Sequence, residues 1–476
     1  MAVWLFVTPL CFALAAFATP SERVRPWLLP LAGATQLGLV AVELSGEAVS
    51  GQSWLWLDPL GRLVTAYLAL LFFLCAAYAP GYLALRSERP NRIFCAVTLV
   101  FFGMMNLIAG AQHLGLLWVA VEATTLASGP LLYFNRNPRS IEATWKYLLI
   151  GSVGIALALL GTFFLAYSAL QAGVATSLRL PDLLANATQL SRPWLHAGFV
   201  LALVGYGTKM GLAPMHTWKP DAYGEAPGLV GALLAGGLTS CAFVAILRMF
   251  QILGAAGESE FARGLLLFLG LFSMAVAGAF MVRQNDYKRM LAYSSVEHMG
   301  ILVLGIAIGG AGTFGALLHM LNNGLTKGVL FLSAGNIHRA FGSKRTDDVT
   351  GALRVLPVSG GLFLAGFFAI TGTPPFGPFV SEFTILSAIV HAERYGIAAA
   401  FLVLLVVVFV GMGGTVLAVV QGEPSARALA TPYRDGWLSV APIALLLALV
   451  LGLGLWIPEP LSALLHDAAR VVEGTP

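Results

Sequence analysis

Seven ionisable side chains stand in apolar surroundings: Glu122, Lys209, Glu297, His298, His319, Lys327 and Glu382. Set at the centre of a membrane helix, a Lys, Arg or Asp costs about 2.5–3.5 kcal/mol, so the group as a whole must offset on the order of 10 kcal/mol or more. Pairing and trapped water can supply that, and a band of such groups in several helices implies a hydrated internal path. Lysine suits the path because burial favours its neutral form and a nearby carboxylate its charged form. A Glu–Lys pair whose separation changes can therefore load and release a proton.

The elements that must position these groups follow from composition. Of 476 residues, 58% are hydrophobic and 11% charged, against roughly 25% charged in an ordinary soluble domain. Fifty formal charges, 27 basic and 23 acidic, are too few to coat a soluble globule of this size. A soluble enzyme, a disordered chain and a nucleic-acid binder are excluded. Apolar runs of about 20 residues, the length that spans a bilayer, occur near 1–19, 27–46, 60–83, 92–110, 113–134, 146–170 and 195–213. Further runs lie near 228–253, 262–283, 290–310, 312–337, 355–391, 395–420 and 437–457. The expected fold is all-α and polytopic, one membrane domain of about fourteen spans. The first run lacks a basic residue before its apolar core, and Arg23 and Arg25 follow it, so it reads as a retained helix rather than a signal peptide.

Basic residues set the direction. With the first helix running inward, the cytoplasmic loops hold Arg23, Arg25, Arg86, Arg89, Arg92, Arg136, Arg139, Lys219, Arg283, Lys288, Arg289, Arg339, Lys344, Arg345, Arg354, Arg427 and Arg434. The opposite loops hold only Arg179, Arg192, Arg263, Arg394 and Arg470. This positive-inside alternation places both termini outside, in the inner (cytoplasmic) membrane of a cell. A short surface helix is expected near Leu178–Leu184 in the connection 171–194.

On this count Glu122 lies near mid-depth of the fifth span and Lys209 deep in the seventh. Glu297 and His298 belong to the tenth, and His319 and Lys327 share one face of the eleventh, two turns apart. Glu382 belongs to the second half of the twelfth. Pro214, followed by His216, interrupts the seventh span, and Pro374-Pro375 interrupts the twelfth. Both breaks free backbone groups that lipid cannot satisfy, so they should face protein or water. The breaks are five spans apart, an odd number, so the broken helices run in opposite directions. An inverted repeat follows, spans 4–8 (92–253) against spans 9–13 (262–420), with helices one to three (1–91) peripheral and one final helix (437–457). Paired broken helices are the sequence pointer to a transport site.

Cys11, Cys75, Cys95 and Cys241 all lie in apolar stretches with no CxxC spacing. Iron–sulfur ligation needs close thiolates and structural zinc usually four ligands, so neither a metal nor a cofactor is expected in this chain.

Three stretches carry a family resemblance. Trp118-Val119-Ala120-Val121-Glu122-Ala123-Thr124-Thr125 with Lys146-Tyr147-Leu148-Leu149-Ile150-Gly151 resembles the fifth and sixth helices of antiporter-like subunits. Lys209 to Ala222, including Pro214-Met215-His216-Thr217-Trp218-Lys219-Pro220-Asp221, is similar to that family's seventh-helix signature. Lys288-Arg289-Met290-Leu291-Ala292-Tyr293-Ser294-Ser295, ending in His298-Met299-Gly300, is a further match. Such subunits occur in respiratory complex I, Mrp-type cation/proton antiporters and membrane-bound hydrogenases, and the likeness spans roughly residues 58–420. It implies a central axis that moves protons (sodium being the alternative), built on a helix-five glutamate and a helix-seven lysine, here Glu122 and Lys209. It places the helix-eleven pattern on His319 and Lys327, with Asn323 at its second histidine position, and the helix-twelve ionisable group on Glu382. Helix eight supplies a lysine or histidine in the family; here it reads Gly237-Leu238-Thr239-Ser240-Cys241, so water held by Thr239 and Ser240 must bridge that step. Val296-Glu297-His298 and Glu142-Ala143-Thr144-Trp145-Lys146 resemble component F of hydrogenase-4, with the complex I M-type subunit as nearest rival. The resemblance implies partner membrane subunits and a cytoplasmic-side redox module that carries any NiFe centre and iron–sulfur clusters. A sodium/proton antiporter or an inorganic-carbon uptake module, working without a redox enzyme, is the alternative. The chain ends soon after its fourteenth span, with no long lateral helix expected.

Overall fold

In a computed structural model, residues 1–46, 53–86, 88–174 and 177–474 are described, apart from the Arg427 side chain. Residues 175 and 176 of the long connection, and the side chain of Arg427, thus lie outside the described residues. No strand occurs among them; the elements are helices and isolated bridges.

The first six helices are α1 (Ala2–Ala18), α2 (Leu28–Ser45), α3 (Pro59–Ala84), α4 (Arg92–Gly110), α5 (Leu114–Leu132) and α6 (Pro138–Gln171). Their starts follow local chemistry. Asp58 accepts the Gly61 amide at 2.9 Å to open α3, and Asn137 and Ser140 form a reciprocal capping box at α6, each satisfying an amide that the helix leaves free. The expected surface helix is α7 (Leu180–Ala185).

The chain then continues as α8 (Arg192–Met210), turns, and resumes as α9 (Lys219–Glu225). Next comes a continuous helical stretch, α10 (Gly228–Ala232), a π-helical segment Leu233–Leu238, and α11 (Thr239–Ala255). Residues 228–255 run through the centre of the bundle, buried along their most apolar stretch. There follow α12 (Ser259–Met281), α13 (Tyr287–Ile308), α14 (Ala311–Phe341), the short α15 (Ala352–Val355), α16 (Pro357–Ile370), α17 (Gly377–His391), α18 (Tyr395–Val420), the short α19 (Ala426–Leu429) and α20 (Trp437–Leu455). Beyond the last expected span lies α21 (Glu459–Glu473), which the hydropathy reading does not contain. Its apolar stripe (Leu465, Ala468, Ala469, Val472) is buried, and the helix packs against α3 and α14.

Ten helices among the described residues are long and apolar enough to cross a membrane. Ala2–Ala18 and Pro357–Ile370 are apolar but shorter. The closest helix pairing lets backbones nearly touch: a Cβ on Gly161 would sit 2.6 Å from the Gly198 carbonyl, and one on Gly205 2.5 Å from that of Gly154. Glycine is required there for α6 to lie on α8.

Side-chain contacts sort the connections to two ends. At one end Asp221 joins Lys146 at 2.8 Å and Arg289 at 2.6 Å, Lys344 meets Glu225 at 2.6 Å, and Arg86 meets Asn135 at 2.9 Å. At the other, Arg192 and His196 hold Glu258 at 2.6 and 2.9 Å, and Arg263 holds Glu473 at 2.7 Å. Between α3 and α11, Asp58 takes Arg248 in a two-pronged buried ion pair at 2.5 and 2.7 Å. The four cysteines are free, Cys11 exposed and the others buried.

Three of the basic residues assigned to loops are interior, among them Lys288, which is 3% exposed and donates to the Ala226 carbonyl at 2.5 Å. Lys219 is fully buried and Arg25 nearly so. The chain re-enters the protein as α9 and carries Lys219 inward, while Arg25 turns in to bond Asn91 and the Thr19 carbonyl.

Candidate functional site

The polar interior forms two clusters. The first lies where α5, α6 and α8 meet. Lys209 occupies the last turn of α8, where the helix dipole favours a cation, and its side chain is wholly buried. Its ammonium donates to Thr125 Oγ1 at 2.6 Å and to the Tyr147 hydroxyl at 2.8 Å, 4.4 Å from the centre of that ring. Thr125 in turn faces Glu122 Oε2 at 3.2 Å, and Ser152 donates to Glu122 Oε1 at 3.0 Å. Tyr147 shares a 2.6 Å bond with Ser128. Glu122 and Lys209 therefore communicate through a hydroxyl. Glu122 is only half-buried and Ser152 is exposed, so the carboxylate stands at the rim of the bundle.

The break after Lys209 is held by side chains. Gly211 adopts φ +82°, the left-handed cap that glycine tolerates. Ser273 accepts the Ala213 amide at 2.9 Å, and Trp218 Nε1 donates to the Thr208 carbonyl at 2.8 Å. His216 is buried at the break.

The second cluster joins α13, α14 and α17. Lys327 donates to Ser294 at 2.8 Å. One face of α14 indeed carries both predicted residues toward α13: His319 meets His298, nitrogen to nitrogen, at 2.9 Å. The other His319 nitrogen reaches Ser381 at 2.9 Å, and Glu297 Oε2 lies 3.8 Å from His298 Nε2. Glu382 is buried, and its Oε1, like Glu297 Oε2, His298 Nε2 and Asn323 Oδ1, has no hydrogen-bond partner among the described residues. Buried polar atoms of this kind are usually satisfied by ordered water or an ion. Ligand atoms of His298, His319 and Glu382 lie within 4.8 Å of one another, a set that could hold a metal ion, although His298 and His319 spend facing nitrogens on each other.

The second break, between α16 and α17, is stitched by Asn322, which donates to the Gly377 carbonyl at 2.9 Å. Pro214, Pro374 and Pro375 are all exposed on this chain. Thr239 and Ser240 are buried and donate to the Ala235 and Gly236 carbonyls, each at 2.6 Å. Tyr67 also donates to the Gly236 carbonyl, at 2.8 Å. Lys146 belongs to neither cluster. It lines a surface cavity of about 420 Å³ with Arg139, Glu142, Asp221, Arg289 and Lys344.

Sequence reasoning missed Thr125 and Tyr147 as site residues, although both sit in the quoted motifs, and missed Ser152, Ser294, Ser381 and Lys219. Hydroxyls carry no hydropathy signal. Only their helical offset from an ionisable residue, as Thr125 from Glu122, could have marked them.

With a bundle of apolar helices enclosing ionisable clusters beside two interrupted helices, the class is that of an ion-handling membrane subunit. The transmembrane family of NADH:quinone oxidoreductases and Mrp antiporters matches residues 111–408, and the chain belongs to it. It is 38% identical to the Hydrogenase-4 component F homolog of Methylacidiphilum infernorum (isolate V4), over 75% of each chain. It is 30% identical to NADH-quinone oxidoreductase subunit N of Desulforudis audaxviator (strain MP104C), over 84% of this chain and 82% of that one. The complex I relatives thus include N-type subunits, where the sequence suggested the M-type. A chain of the Mrp complex from Dietzia sp. DQ12-45-1b shares the fold with a TM-score of 0.87 at 21% identity, covering 100% of this chain and 98% of that one. One of respiratory complex I from Thermus thermophilus with bound NADH does so with a TM-score of 0.82 at 23% identity, covering 99% and 100%.

Proposed function

We propose that this chain moves protons across the cell inner membrane as an antiporter-like subunit of a membrane-bound redox complex of the hydrogenase or formate hydrogenlyase type. The observation that carries the reading is the Glu122–Thr125–Lys209–Tyr147 chain of hydrogen bonds, matched across the bundle by Lys327–Ser294 and His298–His319–Ser381. In this reading Lys209 and Lys327 store protons. The Thr125 hydroxyl accepts from the ammonium and donates toward Glu122, and the imidazole pair passes a proton toward Ser381 and Glu382.

Fourteen spans result when Ala2–Ala18, Arg192–Met210, Ala311–Phe341 and the α16–α17 pair are added to the ten apolar helices. The last three fall short by hydropathy or length because they carry the polar clusters or the breaks. Spans four to eight and nine to thirteen then form the inverted repeat, with both termini outside and the cavity around Asp221 on the cytoplasmic side; the basic-residue alternation supports that orientation. Exposed irregular backbone is not tolerated against lipid, so neighbouring membrane subunits would cover Pro214 and Pro374-Pro375. The identity to a hydrogenase-4 component F homolog supports a hydrogenase-linked assembly, with redox centres in a cytoplasmic-side module.

The test is proton flux in proteoliposomes holding the purified complex, with Lys209→Met as the decisive variant. Flux equal to the unmodified complex would sink the reading. The copurifying subunits identify the assembly: a NiFe or NADH module supports the redox complex, and none would favour a free-standing cation/proton antiporter.

A further inference from the structure

Among the described residues no hydrogen bond joins the two clusters, and the central helical stretch between them offers no carboxylate, amine or imidazole from Gly228 to Leu247. The Thr239 and Ser240 hydroxyl protons are committed to their own helix. One ionisable group in this region has no assigned part. Lys219 is fully buried and its ammonium has no hydrogen-bond partner among the described residues. As a packing residue it would be a poor choice, since a buried unpaired ammonium is costly and a methionine would fill the same volume.

Its position is built rather than incidental. The stem lies across Gly211, where a Cβ would come within 2.2 Å of Lys219 Cε and 2.4 Å of Cδ; no other residue leaves that groove open. Trp218, one residue before, is bonded to the Thr208 carbonyl and packs on Tyr147 with ring centres 5.0 Å apart. Lys219 is thereby pinned beside the end of α8 that bears Lys209. On its other side the ammonium lies 5.8 Å from the centre of the Tyr223 ring, and that ring packs edge-on against Phe331, which is four residues beyond Lys327 on α14, with ring centres 5.6 Å apart.

We propose that Lys219 is the proton carrier between the two clusters, receiving from the Lys209 side and delivering to the His298 side through bridging water. This rests on the proton-translocation reading above. In delivery, an N–H bond of the Lys219 ammonium breaks, the proton crosses water to the unpartnered His298 Nε2, and a neutral amine remains. The amine is recharged by a proton released from the Lys209 ammonium, so no electron moves and no group is consumed.

The experiment measures proton flux of the reconstituted complex carrying Lys219→Met, Lys219→Arg or Lys219→His, alongside Lys209→Met and with assembly checked by subunit stoichiometry. Arginine keeps the charge but does not release its proton, whereas histidine exchanges protons near neutrality. The expected result is a loss of about tenfold or more for Met and Arg and recovery to within about threefold for His. A structural or purely electrostatic role would rank Arg above His. Met retaining flux within about twofold, Arg matching or exceeding His, or failure of all three to assemble would each overturn the assignment. Loss in Lys209→Met with normal flux in Lys219→Met rejects Lys219 alone; normal flux in Lys209→Met rejects the proton-translocation reading and this inference with it.

Discussion

Glu122 and Lys209 form no ion pair; one hydroxyl stands between them. Thr125 Oγ1 receives the Lys209 ammonium at 2.6 Å and lies 3.2 Å from Glu122 Oε2. A direct pair would lock two charges together, since opposite charges stabilise one another. A bridging hydroxyl lets the carboxylate influence the amine while either remains free to exchange a proton.

The first prediction is that Thr125→Val uncouples them. The valine keeps the shape and removes the bridge. Residues sharing a hydrogen-bond network typically show coupling of about 0.5–3 kcal/mol. Glu122→Gln combined with Lys209→Met should therefore cost less flux than the sum of the singles in the unmodified complex. In the Thr125→Val background the same two changes should become additive. Unchanged coupling in that background would show that the hydroxyl is not the link.

How far the sequence reached depends on the signal each feature leaves. The apolar runs at 60–83, 92–110 and 395–420 are visible because burial in lipid demands a continuous stretch, and α3, α4 and α18 match them closely. That His319 and Lys327 share one face of their helix followed from helical spacing; that this face meets α13 did not. Glu122 was placed at mid-depth, but depth does not say whether a side chain points inward, and it stands at the rim. Lys219 read as a loop cation because it follows the seventh apolar run, 195–213, and nothing local shows that the chain turns back into the protein. Helix α21 escaped because its residues alternate apolar and charged around the helix, leaving a stripe rather than a run. The hydroxyl partners escaped because their function lies entirely in who faces them.

A second prediction concerns orientation. Cys11 is the only exposed one of the four cysteines and should be replaced first. A cysteine introduced at Lys344 should then react with a membrane-impermeant reagent only from the cytoplasmic side, as the basic-residue asymmetry requires. Labelling from outside intact cells would reject the span count as well as the direction.

A third prediction concerns the bridging water expected at Thr239 and Ser240. Both hydroxyls donate to carbonyls of their own helix at 2.6 Å, which leaves them only as acceptors toward water. Thr239→Val with Ser240→Ala should remove only these bonds, each worth about 1 kcal/mol net. Proton flux should stay within about twofold of the unmodified complex, with a slightly lower melting temperature. A collapse of flux in an assembled complex would restore the water bridge.

The buried pair Asp58–Arg248 gives a stability prediction. Arg248→Met strands a carboxylate that is 5% exposed, and losing one partner of a buried pair typically costs about 3–5 kcal/mol. Yield and thermal stability in detergent should fall sharply. Adding Asp58→Leu should recover a part of the loss, though not the cap that Asp58 gives to α3 through Gly61. No recovery would mean that the cap, not the charge, dominates.

The last prediction concerns the second break, where Gly372 and Glu382 depend on each other. Gly372 has φ +65°, and a Cβ there would sit 2.2 Å from Glu382 Oε2. An L-residue is disfavoured in that backbone region in any case, so Gly372→Ala combines local strain with a clash against the carboxylate. The carboxylate is the softer partner, being the end of a flexible side chain, and should move away from the break. It would then leave the neighbourhood of His298 and His319, whose ligand atoms now lie within 4.8 Å of its own. Gly372→Ala should thus lower proton flux to about the level of Glu382→Gln, and combining the two should add little, because residues in contact act on one term. Gly372→Ser should resemble Ala, since its hydroxyl does not relieve the Cβ contact. To separate displacement from misfolding, complex assembly and the reactivity of the Arg263–Glu473 end should be unchanged. If Gly372→Ala and Glu382→Gln lowered flux independently and additively, Glu382 would not be acting from the position that Gly372 leaves open for it.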